Sequence, residues 1–167
     1  MSMAFEHHTS GSLYVPAGEG LVKWMAGDEY TVKASANETN GSLGFIVGTV
    51  PPGNGPVAHS HTRHDEAFFM LDGELEFLDG DKTFVGSAGD FVFVPRGVRH
   101  RFKNISSRDA KLAFLYTPGG IERSMIEHGH DPEPGQRPKL WTADDFSPGL
   151  VAMMEELGTL VLPEQNP

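Results

Sequence analysis

Turn signals recur at short intervals along most of this chain: Gly53-Asn54-Gly55, Asp72-Gly73, Asp79-Gly80, Gly86 to Gly89, Arg96-Gly97 and Pro118-Gly119-Gly120. Between them lie short runs rich in Val, Phe, Ile and Leu, too short for ordinary helices and well suited to strands. The spacing predicts an all-β, antiparallel architecture. Strands are expected at 44–50, 57–61, 66–71, 74–78, 82–85, 91–94, 100–103 and 111–116, with earlier ones near 21–25 and 30–34. Eight or more short strands favour a barrel or jelly roll.

After Tyr116 the pattern changes. Residues 121–127 read as a short helix, and Ser147-Pro148 sets a cap residue before a proline-started helix running to about Glu156. The stretch 131–138 carries three prolines and reads as a linker loop. Residues 159–162 read as a last strand, added to the sheet or to a partner subunit. No fixed-period repeat is present, so one barrel is expected.

Composition removes several kinds of function. The chain has no cysteine, so thiol nucleophiles, iron–sulfur clusters and cysteine–zinc sites are excluded, and any metal must use His, Asp or Glu. With 23 acidic against 13 basic residues and a net charge of -10, a nucleic-acid partner is not expected. Residues 1–11 lack a basic start followed by an apolar run, and no apolar stretch is long enough to cross a bilayer, so the expected location is the cytoplasm.

Metal-ligand chemistry is concentrated in one region. Alternation puts His59 and His61 on one face of a strand, and Glu66 opens the next. His100 begins a strand some forty residues later, which a barrel can bring alongside as a fourth donor. Three imidazoles and one carboxylate suit a single divalent transition ion: Mn, Fe, Co, Ni, Cu or Zn. Phe68, Met70, Phe102, Phe114 and Tyr116 share inward strand parity with these residues and are candidates for a substrate pocket above the metal.

Other chemistry-bearing residues read as surface. His64 and Arg63 lie in a polar bend, His128 and His130 at an exposed helix end, and His7 and His8 near the N-terminus. The pairs Glu155-Glu156 and Asp144-Asp145 read as a solvated helical tail.

Ten fixed positions give the resemblance: Gly53-x5-His59-x-His61-x4-Glu66-x6-Gly73, then Gly89-x5-Pro95-x-Gly97-x2-His100-x3-Asn104. These look like the two signature motifs of the cupin family, with no departure. Gly73 and Gly97 fall where tight turns call for positive φ. The runs TVPPGNGPVAH (49–59), FMLDGELEF (69–77) and TPGGIE (117–122) further resemble the small one-barrel cupins grouped with bacterial quercetin 2,3-dioxygenase.

That resemblance implies a cupin jelly roll, or double-stranded β-helix, with short C-terminal helices. It is expected to divide into a flexible segment at 1–12, a barrel at 13–117 and a helical extension at 118–167 packing on the barrel or a partner. It implies a metal held by His59, His61, Glu66 and His100. The substrate would be a flavonol or similar planar enol, cleaved with dioxygen, with Glu66 also serving as general base. A cyclase or isomerase of a small polyketide-like or carbonyl substrate uses the same residues without oxygen, and a non-catalytic small-molecule-binding module remains a third alternative. Cupin barrels commonly pair, so a homodimer is expected, with residues 13–15 and 159–162 as candidate exchanged segments.

Overall fold

The computed structural model describes residues 11–165; His7, His8 and most of the expected flexible segment lie outside them. The strands run in chain order as β1 (Leu21–Met25), β2 (Asp28–Ala34), β3 (Gly44–Val50), β4 (His59–His61), β5 (Asp65–Asp72), β6 (Glu74–Asp79), β7 (Lys82–Ser87), β8 (Phe91–Val94), β9 (His100–Lys103) and β10 (Ala110–Thr117). Helices α1 (Arg123–His128) and α2 (Pro148–Leu157) follow, and β11 (Thr159–Val161) closes the order.

Two antiparallel sheets form, of order β1-β2-β3-β10-β5-β8 and β11-β4-β9-β6-β7. This is the jelly roll expected from the turn spacing. Strict alternation of buried and half-buried positions along β2 and β3 directs one face of each inward. Phe68, Met70, Leu75, Phe102, Leu112 and Phe114 fill the space between the sheets. Ile121, Met125, Met153 and Leu157 bring the two helices into the same core. Gly73 and Gly97 take the positive φ expected of them, 74° and 87°.

Two elements start later than the sequence reading, each for a local reason. The strand expected from Val57 starts only at His59, because the chain before it is held by loop bonds: Gly53 N–H donates to Asn104 O and Asn104 N–H to Asn54 O, both at 2.8 Å. The helix expected from Ile121 starts at Arg123, because the Glu122 side chain folds back to accept from Ala36 N–H (2.6 Å) and Gly120 N–H (2.8 Å). The last strand joins its own chain: β11 pairs with β4, Thr159 opposite His61 and Val161 opposite His59. Ser147 caps α2 by accepting from Leu150 N–H at 3.2 Å, and Gly158 ends it in the left-handed region, as the sequence signals imply. No described helix is long and apolar enough to cross a membrane.

Candidate metal centre

Strand pairing brings the candidate ligands together from both sheets. His59 on β4 lies opposite His100 on β9, so two imidazoles share a register position, and His61 follows two residues on. Glu66 reaches in from β5 of the facing sheet, where it pairs with Val94 and Tyr116. One donor atom from each of the four lies within 4.8 Å of the others. Donors about 2.0–2.2 Å from one ion lie up to about 4.4 Å apart. The set is therefore a few tenths of an ångström from a ligand cage.

The imidazoles are aimed by hydrogen bonds on their far sides. His59 Nδ1–H donates to Val57 O at 2.7 Å, and His100 Nδ1–H donates to Val98 O at 2.9 Å. A carbonyl can only accept, so these contacts place a proton on each Nδ1 and point each Nε2 at the centre, where that of His100 meets Glu66. His61 Nδ1 lies 3.2 Å from Thr159 Oγ1, a third far-side anchor contributed by β11. Such outer partners set the tautomer and orientation of metal-binding histidines.

Glu66 Oε2 is the common acceptor, 2.8 Å from His100 Nε2 and 3.2 Å from His61 Nε2. Burial would raise the Glu66 carboxyl, but the hydrogen bonds from His100 and His61 outweigh it and hold the group well below the usual carboxylate range. Burial would lower His100, yet its bond to Glu66 raises it above the ordinary imidazole value. His59 moves the other way, to about 4, through burial and then the neighbouring His100 and His61. A neutral His59 and an ionised Glu66 are the protonation states a divalent cation requires. By donor type and spacing, the four residues could hold a metal ion.

The five candidate pocket residues all lie in the buried core. Phe68, Phe102 and Phe114 pack on one another with ring centroids 5.5 to 6.0 Å apart. Phe68 is also 6.3 Å from the His100 ring, so this aromatic cluster forms a floor beneath the centre. Met70 packs deeper in the same core. Tyr116 differs from the others because its ring lies 6.0 Å from His61 and its backbone pairs with Glu66 across the sheet. Burial, and then the Glu66 charge, push its phenol well above the usual value, so it stays protonated.

His64 departs from its surface reading: it is buried, its Nε2 close to Gly120 and Leu157 in the segment that follows the barrel. Arg63 stays exposed and donates to Glu156 O at 2.9 Å. His128 and His130 do not converge; the His130 backbone pairs with Trp24. Glu155 and Glu156 are exposed, and Asp145 caps a short 3-10 turn at Ala143–Asp145. Among the described residues, His59, His61, Glu66 and His100 are the one group placed to hold a metal. Sequence reasoning missed Thr159, because no spacing rule links a residue 98 positions away to His61.

A two-sheet barrel with three inward histidines and one inward glutamate defines a class of small metal-site β-proteins, and the comparisons identify it. The cupin domain model matches residues 46–118, which hold all ten motif positions. Those residues form a cupin domain. The chain is similar to quercetin 2,3-dioxygenase of Bacillus subtilis, 27% identical over 107 residues, covering 64% of this chain and 31% of that protein. It is also similar to polyketide synthase CurC of Streptomyces cyaneus, 32% identical over 81 residues, covering 48% of this chain and 51% of that protein. The chain thus spans about a third to a half of these relatives' own lengths. Among solved structures, a predicted oxalate decarboxylase from Thermotoga maritima superposes with a TM-score of 0.60 at 22% identity, over 63% of this chain and 98% of that one, a likeness of fold.

Proposed function

We propose that this protein is a metal-dependent dioxygenase that cleaves a flavonol or a related enol with molecular oxygen. The observation that carries the reading is the ionised, buried Glu66 carboxylate ringed by three imidazoles, each anchored on its far side. Bound by His59, His61, Glu66 and His100, a divalent transition ion would supply Lewis acidity and positive charge for an enolate oxygen.

The chain's own groups supply the rest. Glu66 starts ionised, so it can accept the acidic hydroxyl proton of an enol. Tyr116, paired with Glu66 across the sheet and kept protonated by burial and the Glu66 charge, presents a phenol beside that carboxylate. The Phe68, Phe102 and Phe114 cluster keeps water from the inner side of the site. Of the four ligands only His59 is not fully buried, which makes its side the direction of substrate approach. The kinship with a quercetin 2,3-dioxygenase supports the choice of substrate class.

A second reading is favoured by the larger share of the polyketide synthase relative that the chain spans. In it the same site is a cyclase or isomerase, Glu66 moves a proton next to a polarised carbonyl, and no oxygen is consumed. Oxygen uptake with a flavonol panel, using metal-loaded wild type and His61→Ala, tests the first reading. Uptake by wild type that is lost in the variant is the expected result. Turnover that continues under strict anaerobiosis would replace the dioxygenase with the second reading, and binding without turnover would leave a small-molecule-binding cupin.

A further inference from the structure

The two strands that carry the imidazoles hold each other by very little. Among the described residues, β4 and β9 share a single register pair, His59 with His100, and beyond it Gly97 N–H donates to His61 O at 2.8 Å. β9 is secured on its far side by four pairs with β6. β4 has no such support. Its other neighbour is β11, three residues long and itself the edge of the sheet. The placement of His59 and His61 against His100 therefore depends on how firmly β11 and the chain after it are held.

Apolar burial does little of that holding, because Leu160, Val161 and Leu162 are 50%, 52% and 38% exposed. Polar bonds do more. Thr62 N–H donates to Gly158 O at 2.9 Å where β11 begins. At its end Leu162 N–H donates to Ala58 O at 2.8 Å, on the β4 side, and Arg99 Nε–H donates to Leu162 O at 2.8 Å, from the β9 side. Glu164 then accepts two bonds from Arg101, Nε at 2.8 Å and Nη2 at 2.9 Å. Arg101 is only 7% exposed and also lies 2.8 Å from Glu76 of β6, so its guanidinium is a fixed point. Two charge-assisted bonds from one planar guanidinium are strong and directional.

We propose that Glu164 is a positioning residue of the metal centre. Its bond to Arg101 staples the C-terminal segment across β4 and β9, and the staple sets the spacing of His59 and His100. This rests on the reading of His59, His61, Glu66 and His100 as ligands of one ion. The staple's bonds land beside those ligands: Ala58 precedes His59, and Arg99 and Arg101 flank His100. By strand alternation Arg101 leaves the face of β9 opposite to His100, so the staple acts from outside the barrel and touches neither ion nor substrate.

The cage leaves little room for error. Its donor atoms lie within 4.8 Å of one another, and a bound ion tolerates only about 0.2 Å in each ligand distance. A short edge strand freed at one end samples positions in which His59 no longer points at the common centre. Metal affinity then falls in proportion to the fraction of molecules still stapled.

Co(II) affinity by chelator competition, with the visible absorption of the bound cobalt, tests the proposal on the full chain. Glu164→Ala is expected to bind cobalt about 10-fold more weakly and with an altered spectrum. Its metal-free Tm stays close to that of wild type, since one partly exposed ion pair adds little to global stability. Glu164→Gln keeps an acceptor for Arg101 and is expected to lose only about 3-fold. Asp72→Ala, which breaks the Arg108 pair on the other sheet, leaves cobalt affinity unchanged. Amide exchange at Leu162 reads the staple with no metal present, and is expected to quicken about 10-fold in Glu164→Ala. Equal cobalt affinity in wild type and Glu164→Ala overturns the proposal and leaves the metal reading standing. Faster Leu162 exchange in the variant, with no cobalt bound even by wild type, removes the metal reading and the proposal with it. Weaker binding that comes with a collapsed metal-free Tm in both Glu164 variants shows a merely structural role and overturns the proposal as well.

Discussion

Asp28 gives the sharpest stability test of this fold. It opens β2 at the β1–β2 hairpin with 2% of its surface exposed. Tyr30 O–H donates to its Oδ2 at 3.2 Å, and the Asn54 amide, committed to Gly27 O at 2.8 Å, reaches its Oδ1 only at 3.4 Å. With no cation against it, burial dominates over the bonds from Asn54 and Tyr30 and raises the carboxyl from 3.8 to about 7. The folded state therefore favours the neutral acid. Below pH 4 both states are protonated and nothing is lost. As pH rises from 4 to 7 the unfolded chain ionises and the folded one does not, so stability falls by about 1.4 kcal/mol per pH unit and levels off above 7.

The full shift corresponds to about 4 kcal/mol. Asn resembles the neutral acid in shape and hydrogen bonding but has no proton to lose. Asp28→Asn should match wild type near pH 4 and exceed it in Tm by about 10 °C near pH 8, at roughly 2–4 °C per kcal/mol for a chain of this size. Thermal unfolding at half-unit steps, in chelator so that the metal centre contributes equally, measures the difference between the two proteins. A difference that stays constant with pH, or that favours wild type as pH rises, refutes the reasoning.

Thr159→Val removes the hydroxyl beside His61 Nδ1 while keeping the side chain's shape; Co(II) affinity measured by chelator competition should fall about 10-fold or more, with Thr159→Ser restoring it. Equal affinity in all three proteins would mean that Thr159 does not position His61. Glu122, with none of its surface exposed, bonds the Ala36 and Gly120 N–H groups. Glu122→Ala leaves both donors buried and unpaired and should cost about 2–5 kcal/mol in urea unfolding. A loss under about 1 kcal/mol would show that water or a local shift satisfies them.

Much of the barrel was legible because strand and turn chemistry are local. Gly73 and Gly97 mark turns through a backbone conformation that few other residues adopt freely, and β3, β8 and β9 run between the residues the pattern indicates. The four candidate ligands were legible because parity on one strand and motif spacing both carry over into three dimensions. Pairing between distant segments was not. β11 finds β4 through backbone hydrogen bonds that any sequence can make, so Thr159 is invisible beside His61 until the chain is folded.

His64 was misread because its polar neighbours suggest solvent, while the burial comes from Gly120 and Leu157. β5 shows the same limit in another form. The run DEAFFMLD is apolar at both parities, so alternation identifies Phe68 as inward but cannot reveal that Phe69 belongs to an uncovered outer face.

His59, His61, Glu66 and His100 are placed to hold one divalent ion together. Elemental analysis of wild type and His61→Ala, each purified identically and dialysed after loading with one transition metal, tests it most directly. Close to one ion per chain in wild type and a small fraction of that in the variant is the expected result. No retained metal in wild type, or the same content in both proteins, would contradict it.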